Sequence, residues 1–413
     1  MSDELNWSFI VVEDDPEMAE FITVLLQADG HEASFILDSA NAAEKIAEAK
    51  PDCVLLDMMM PGVDGIELCQ QLRQNPETQD VKLIVVTAKT YAFDRKRAFE
   101  CGVDGYITKP IREADFVYKV TRIIKDKIDL SFWGVRGTLP VPGEHSLRYG
   151  GNTSCVTIEF ARGDFLIFDA GSGIKALSDW FMGLGKRKLE AKIFFSHPHW
   201  DHINALPFFV PLYLQGNAFE IFGPRHGDIT IHQLISAQMD GVYFPITIQE
   251  FASSVSFRDL HEEVLEFGGI TMRTMLLKHP GQCLGYRVEY KNRSICYITD
   301  NELFLESDEE NYDPFYVKRL VKFIEGTDAL ITDTTYTDEE YANGKSGWGH
   351  SCVSQVVDLA DKAQVKTLYL FHHDPDQTDD DIEAKLKTAR MMLEERGSSV
   401  ICKAPTDRTH LKI

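Results

Sequence analysis

The segment Ser196-His197-Pro198-His199-Trp200-Asp201-His202 constrains this chain more than any other part of it. Three imidazoles and a carboxylate fall in one short stretch, directly behind the apolar run 193–195. A strand that runs into a loop there puts the four side chains within a few ångströms of each other. Neutral imidazole and carboxylate are the donors that Zn²⁺, Mn²⁺ and Fe²⁺ prefer. One segment supplies too few donors for two metal sites, so the fold must return distant segments to the same rim. The candidates are His279 in Lys278-His279-Pro280-Gly281, Asp300 behind the run 295–298, His350 in Gly349-His350-Ser351, and His372-His373 behind 368–371. Strand-end placement of Asp300 and His372 favours a shared rim.

Two organisations share the chain. Residues 9–125 alternate strand and helix: 9–12, 53–56 and 83–86 are continuous apolar runs, as in parallel strands buried on both faces. Between them lie amphipathic stretches such as 17–27, with Met18, Phe21, Ile22 and Leu25 at helical spacing. This alternation predicts a doubly wound parallel sheet. Residues 130–413 hold more aromatics, more glycine turns and most of the histidines, with strand-like runs at 157–160, 165–168 and 193–195 and a helix at 352–363. We place the domains at 1–126 and 130–413, within a length of 413 residues that is ample for two cores.

The formal charge of −23 argues against a stable grip on nucleic acid, because a polyanion needs a basic surface to release its counterions. A small anionic substrate neutralised locally by metal ions remains compatible with it. No stretch approaches the roughly 20 apolar residues that span a bilayer. Asp3 and Glu4 make the start of the chain acidic where an export signal is basic, and the eight cysteines form no CxxC pair. A cytoplasmic location with reduced thiols is the expectation.

In the first domain, chemically suggestive residues stand at successive strand ends: Glu13 and Asp14, then Asp57, then Thr87, then Lys109 before Pro110. Three acids in one crevice repel each other unless a cation sits among them, and carboxylates with waters suit Mg²⁺. The order Val-Val-Glu-Asp-Asp-Pro, Leu-Leu-Asp-Met-Met-Met-Pro-Gly, Val-Val-Thr-Ala-Lys and Gly-Tyr-Ile-Thr-Lys-Pro resembles the bacterial response-regulator receiver over about residues 8–125. The resemblance implies a flavodoxin-like fold and Mg²⁺ held by Glu13, Asp14, Asp57 and the Met59 carbonyl. It implies Asp57 as phospho-acceptor, with Thr87, Lys109 and Tyr106 switching position on phosphorylation. Glu13 stands where Asp is commoner. A cognate histidine kinase is the implied partner.

In the second domain the ordered motifs resemble the metallo-β-lactamase superfamily, which implies a four-layer αβ/βα sandwich with two metals at one edge. Carried over by position, His197, His199 and His279 match the ligands of one ion, and Asp201, His202 and His372 those of the other. Asp300 matches the bridging carboxylate, and His373 is set aside in favour of His372. Two ions so held, zinc before manganese or iron, make hydroxide available near neutral pH and clamp a phosphodiester. No persuasive Ser–His or Cys–His pair is present.

The stretch Ile331-Thr332-Asp333-Thr334-Thr335-Tyr336, with Gly349-His350-Ser351 and Leu370-Phe371-His372, is similar to the phosphodiesterase and ribonuclease Z branch. That similarity makes His350 the general acid and Asp201 its catalytic companion, with Asp333 orienting His350. Only residues 280–299 separate His279 from Asp300, without the long basic arm of tRNA-gripping members, so a small or cyclic phosphodiester is the expected substrate. Arg136 and Asn152 are either substrate contacts or turn residues. The rival readings are a thioester hydrolase of glyoxalase II type and a non-hydrolytic di-metal sensor. No basic recognition helix follows the receiver, so its output is expected to be chemistry or protein contact, in a homodimer.

Overall fold

Continuous apolar runs become the central sheet of the first unit. In the computed structural model, which describes residues 6–184, 188–242, 245–304, 308 and 310–413, five parallel strands lie in the order Glu32–Ile36, Ser8–Val12, Cys53–Leu56, Lys82–Thr87 and Gly105–Thr108. Asp3 and Glu4 lie outside the described residues. Successive side chains point to opposite faces, and both faces are covered. Val12, Leu56 and Val85 pack on one side with Ile46, Ile66 and Leu72. Val11, Leu55, Ile84 and Val86 pack on the other with Ile22, Leu26, Phe116 and Val120. Each such side chain fully buried contributes about 1.5–3 kcal/mol. The doubly wound sheet expected from the sequence is therefore present.

The helix predicted at 17–27 runs Pro16–Ala28. Asp15 starts it, accepting from the Glu17 and Met18 amides at 2.9 and 3.3 Å, while Pro16 presets the first turn. That cap fixes the loop in which Glu13 and Asp14 sit.

The chain divides into Met1–Ile128 with Phe160–Asp164, and Asp129–Glu159 with Phe165–Ile413. The second unit holds two seven-stranded mixed sheets. One runs Ser254–Leu260, Ala218–Pro224, Glu190–Phe194, Phe165–Phe168, Cys155–Phe160, Ile128–Gly134, Thr409–Lys412. The other runs Val264–Phe267, Ile270–Leu277, Cys283–Tyr290, Arg293–Ile298, Ala329–Asp333, Thr367–Phe371, Ile401–Lys403. An aromatic seam joins them: Phe168 meets Tyr286 and Tyr297 at 5.5 and 5.4 Å between ring centres, and Tyr297 meets Phe371 at 5.7 Å. Outside one sheet, Ile174, Leu177 and Ile235 of the helices Gly173–Gly183 and Ile231–Gln238 cover Ile167, Ile193 and Ile221. Outside the other, Leu320, Val356 and Ala389 of Pro314–Ile324, Val353–Lys362 and Asp379–Glu395 cover Leu330, Leu368 and Leu370. These are the four layers αβ/βα.

The parallel strands Phe165–Phe168, Glu190–Phe194, Arg293–Ile298, Ala329–Asp333 and Thr367–Phe371 bring Asp333, the last residue of its strand, and the loops that carry Asp169, His197, Asp300 and His372 to their carboxyl ends. Open parallel sheets place their functional groups at such ends. Arg136 is fully buried behind this edge and donates to the carbonyls of Gly150, Asp374 and Gln377, beside the Asp379 carboxylate. Asn152 donates to Asp407 and accepts from Ser172. Of the two roles open to Arg136 and Asn152, the structure shows the one internal to the loops.

Candidate functional site

The first unit brings Glu13, Asp14 and Asp57 together, with one carboxylate oxygen of each inside a 4.8 Å span. Glu13 and Asp57 are buried and Asp14 is exposed. The Lys109 ammonium closes the cluster, donating to Asp57 Oδ2 at 2.7 Å and to Glu13 Oε2 at 2.8 Å. Burial pushes the Glu13 carboxyl up despite the Lys109 bond that opposes it. Burial also works against the Lys109 charge, but its bonds to Asp57 and Glu13 outweigh that and hold its pKa above the ordinary lysine value. The Met59 amide donates to Asp57 Oδ1 at 3.0 Å, which fixes the carboxylate's rotation. Thr87 is buried at the end of the neighbouring strand, and the Tyr106 hydroxyl donates to the Lys89 carbonyl at 3.0 Å. An acid triad with one lysine has room in its charge balance for a divalent cation.

The second unit brings together all seven sequence-predicted metal-site residues. His197, His199 and His279 offer ring nitrogens within 4.8 Å of each other, and so do Asp201, His202, Asp300 and His372 with their own donor atoms. Asp300 stands between the sets. Its Oδ1 lies 3.8 Å from Nε2 of both His197 and His279, while its Oδ2 lies 3.1 Å from His202 Nε2 and 3.3 Å from His372 Nε2. Ring nitrogens also face each other: His279 Nε2 is 3.1 Å from His199 Nδ1, and His202 Nε2 is 3.2 Å from His372 Nε2. His197 Nε2 is buried and finds no hydrogen-bond partner. Nitrogens that converge in this way suit shared cations, and the donor set fits two divalent ions.

The backbone takes unusual shapes to make this edge. Asp169, Asp300 and His372 all have left-handed φ, of 59°, 50° and 59°. Non-glycine residues seldom do so, and the cost is of order 1 kcal/mol each. Gly349, at φ 88°, is needed for another reason: a Cβ there would come within 2.4 Å of the His279 ring.

Most of the rings are held from behind. His202 Nδ1 meets Asp169 Oδ2 at 2.8 Å, His279 Nδ1 meets the Gly349 carbonyl at 2.9 Å, and His197 Nδ1 meets Ser196 Oγ at 3.0 Å. Thr335 Oγ1 lies 3.2 Å from His372 Nδ1 and donates to the His372 carbonyl. Such partners set ring orientation and tautomer. Burial holds the pKa of His197, His199 and His279 down, keeping them in the neutral form that binds metals. His350 behaves in the opposite way. Burial opposes its charge, yet Asp333, with Oδ2 2.8 Å from His350 Nδ1, pushes it up to about 9.

Sequence reasoning did not single out Asp169. Its carboxylate accepts from the Ser196 amide and hydroxyl, the Tyr297 hydroxyl and His202, all while fully buried. The available signal was its position behind the apolar run 165–168, the same strand-end placement that marked Asp300. Buried Glu302 was missed as well. It accepts from the Gly347 and Gly349 amides and the Tyr341 hydroxyl, each at 2.7 Å, and so fastens the loop that leads into His350. His373 is buried with no ring-nitrogen partner and lies outside both donor sets.

A cavity of about 420 Å³ opens over the cluster, lined by His199, Asp201, His279, Asp300, His350 and His372 among others. Its volume falls within the range of small-ligand sites.

This fold and this histidine–aspartate edge define a class. The chain belongs to the beta-lactamase superfamily, whose domain family matches residues 166–373, and it carries a response regulator receiver domain, matched over residues 9–121. The DNA-binding response regulator MtrA of Mycolicibacterium smegmatis is 33% identical over 163 residues, 38% of this chain and 69% of that protein. Among solved structures, the metallo-beta-lactamase fold protein YhfI from Bacillus subtilis has a TM-score of 0.50 at 18% identity, covering 70% of this chain and 100% of its own. Unliganded yeast PDE1 has a TM-score of 0.51 at 14% identity, covering 69% of this chain and 99% of its own. At these identities the two structures show the shared fold. That fold implies divalent-metal binding, and the buried cluster is chemically suited to it.

Asp169→Asn turns an amide NH₂ toward groups that now donate to a carboxylate, so His202 loses its orientation. Metal affinity is expected to fall about 10- to 100-fold in a chelator competition. Unchanged affinity would confine Asp169 to packing.

Proposed function

We propose that the second unit is a dinuclear-metal phosphodiesterase for a small or cyclic diester, and that it is the output of a receiver phosphorylated on Asp57. The observation that carries this reading is Asp300, which turns one carboxylate oxygen to each of two imidazole groups. In this reading His197, His199 and His279 would hold one ion and Asp201, His202 and His372 the other, with Asp300 shared between the two sets. Nitrogen-rich donors favour zinc, with manganese or iron as alternatives. Bound ions would supply Lewis acidity that lowers the pKa of water and neutralises phosphate oxygens.

The remaining work falls to the chain itself. His350 lines the cavity, and Asp333 Oδ2 at 2.8 Å accepts from its Nδ1–H, which leaves Nε2–H free for a leaving oxygen. A pKa of about 9 keeps that proton in place at neutral pH. Asp201 Oδ2 accepts from the Thr138 amide at 2.7 Å and faces His372 Nε2 at 3.1 Å, so its carboxylate is locked on the second set. The short 280–299 connection and the charge of −23 support a small diester over a folded nucleic acid.

For the first unit we infer that Glu13, Asp14, Asp57 and the Met59 carbonyl hold Mg²⁺ and that a histidine kinase phosphorylates Asp57. Thr87 and Lys109 would then bind the new phosphate oxygens, and Tyr106 would move with Thr87. A homodimer in the cytoplasm is part of the same reading. Eight free cysteines support the reducing compartment in that reading.

Two outcomes are expected. His350→Ala should lose about 10²- to 10⁴-fold on a diester with an alkoxide leaving group. It should lose far less on bis(p-nitrophenyl) phosphate, whose leaving group departs without a proton, whereas Asp201→Ala loses both. Equal loss on both substrates in His350→Ala would remove the general-acid role, and faster turnover of a thioester would favour the glyoxalase II reading. Asp57→Ala should abolish labelling by acetyl phosphate, and phosphorylation of the intact chain should change turnover or oligomeric state. Labelling that persists in Asp57→Ala would contradict the acceptor assignment.

A further inference from the structure

The cavity wall facing the histidines carries three residues that the chemistry above does not use: Tyr336, Lys345 and Trp348. Trp348 is 58% exposed, although tryptophan has the most apolar surface to gain from burial. The Lys345 ammonium sits 4.5 Å from the centre of its ring and 5.4 Å from that of buried Tyr336, so the three form a short stack at the cavity mouth. Among the described residues, no aromatic ring packs on Trp348.

This exposed ring is held in place from beneath. The loop 341–349 turns through left-handed Gly344, Gly347 and Gly349. Glu302, itself only 3% exposed, ties that loop down by the Gly347 and Gly349 amides on either side of Trp348 and by the Tyr341 hydroxyl. A buried carboxylate with three donors is a strong anchor for a surface loop. It lowers the ordering cost of anything that docks on Trp348.

Charge narrows what can dock. Lys345 is the only lysine or arginine among the described residues lining the cavity, while Asp374 and Asp376 stand on the lining as well. A ligand with one phosphate at the metal edge is tolerated there, and a second phosphate beside the acidic side chains is disfavoured. A flat aromatic group has a face to stack on, next to a cation.

We propose that Trp348, backed by Lys345 and Tyr336, is a stacking platform for a nucleobase, which makes the substrate a nucleoside-bearing diester with a single phosphate. The proposal rests on the phosphodiesterase reading for the word substrate, but the platform is testable by binding alone. Adenosine 5′-monophosphate and ribose 5-phosphate share sugar and phosphate and differ in the base. By calorimetry on the metal-loaded full chain, the first should bind about 10-fold tighter, a typical worth for one stacked base. Trp348→Ala should bring the two to within about 2-fold, and Trp348→Phe should restore most of the difference. Equal binding of the two probes by the unaltered chain, or a preference that survives Trp348→Ala, would overturn the platform. Diester hydrolysis with no base preference would sink this inference and leave the phosphodiesterase standing. A base preference in a chain that cleaves no diester would do the reverse.

Discussion

Asp300 is almost fully buried and presents its two oxygens to four imidazoles from three separate stretches of chain, and the strand edge around it is shaped by that demand. Taking a carboxylate out of water costs several kcal/mol unless opposite charge meets it. The nearby histidines hold the Asp300 pKa well below the usual carboxylate range in spite of burial, so it keeps its charge. Four imidazoles cannot all be cations at this spacing, and burial drives His197 toward its neutral form. A buried carboxylate ringed by imidazole nitrogens is a receptor for positive ions. The left-handed turns at Asp169, Asp300 and His372 are strain that the surrounding four layers hold in place for this purpose.

The same electrostatic logic runs through the first unit at lower intensity. Glu13, Asp14 and Asp57 crowd one strand edge, and a single lysine bridges two of them. Lys109 therefore stabilises the acids as they stand. Both units use the carboxyl ends of parallel strands, where loops can aim side chains without disturbing the buried ladder.

Much of this was legible in the sequence because the signals are local. Runs such as 53–56 and 368–371 are continuous and apolar, and they became the strands Cys53–Leu56 and Thr367–Phe371 with a shift of no more than one residue. The polar residue behind each run then marked the site edge. Asp169 carried the same mark but had no second motif residue beside it, so it was not singled out. Arg136 was ambiguous for a different reason. The carbonyls of Asp374 and Gln377 that bury it come from a segment far along the chain, and no periodicity near Arg136 announces them. Glu302 is similar: its three donors all lie in 341–349, and only the folded chain brings them back to it.

The most direct test is a metal count on the purified chain dialysed against zinc-containing buffer without magnesium, paired with Asp300→Asn. If Asp300 bridges two sites, the unaltered chain holds two zinc ions, and the variant, still folded by circular dichroism, retains one or none. A single ion in the unaltered chain, or two ions held with undiminished affinity by Asp300→Asn, would contradict a dinuclear centre organised around this carboxylate.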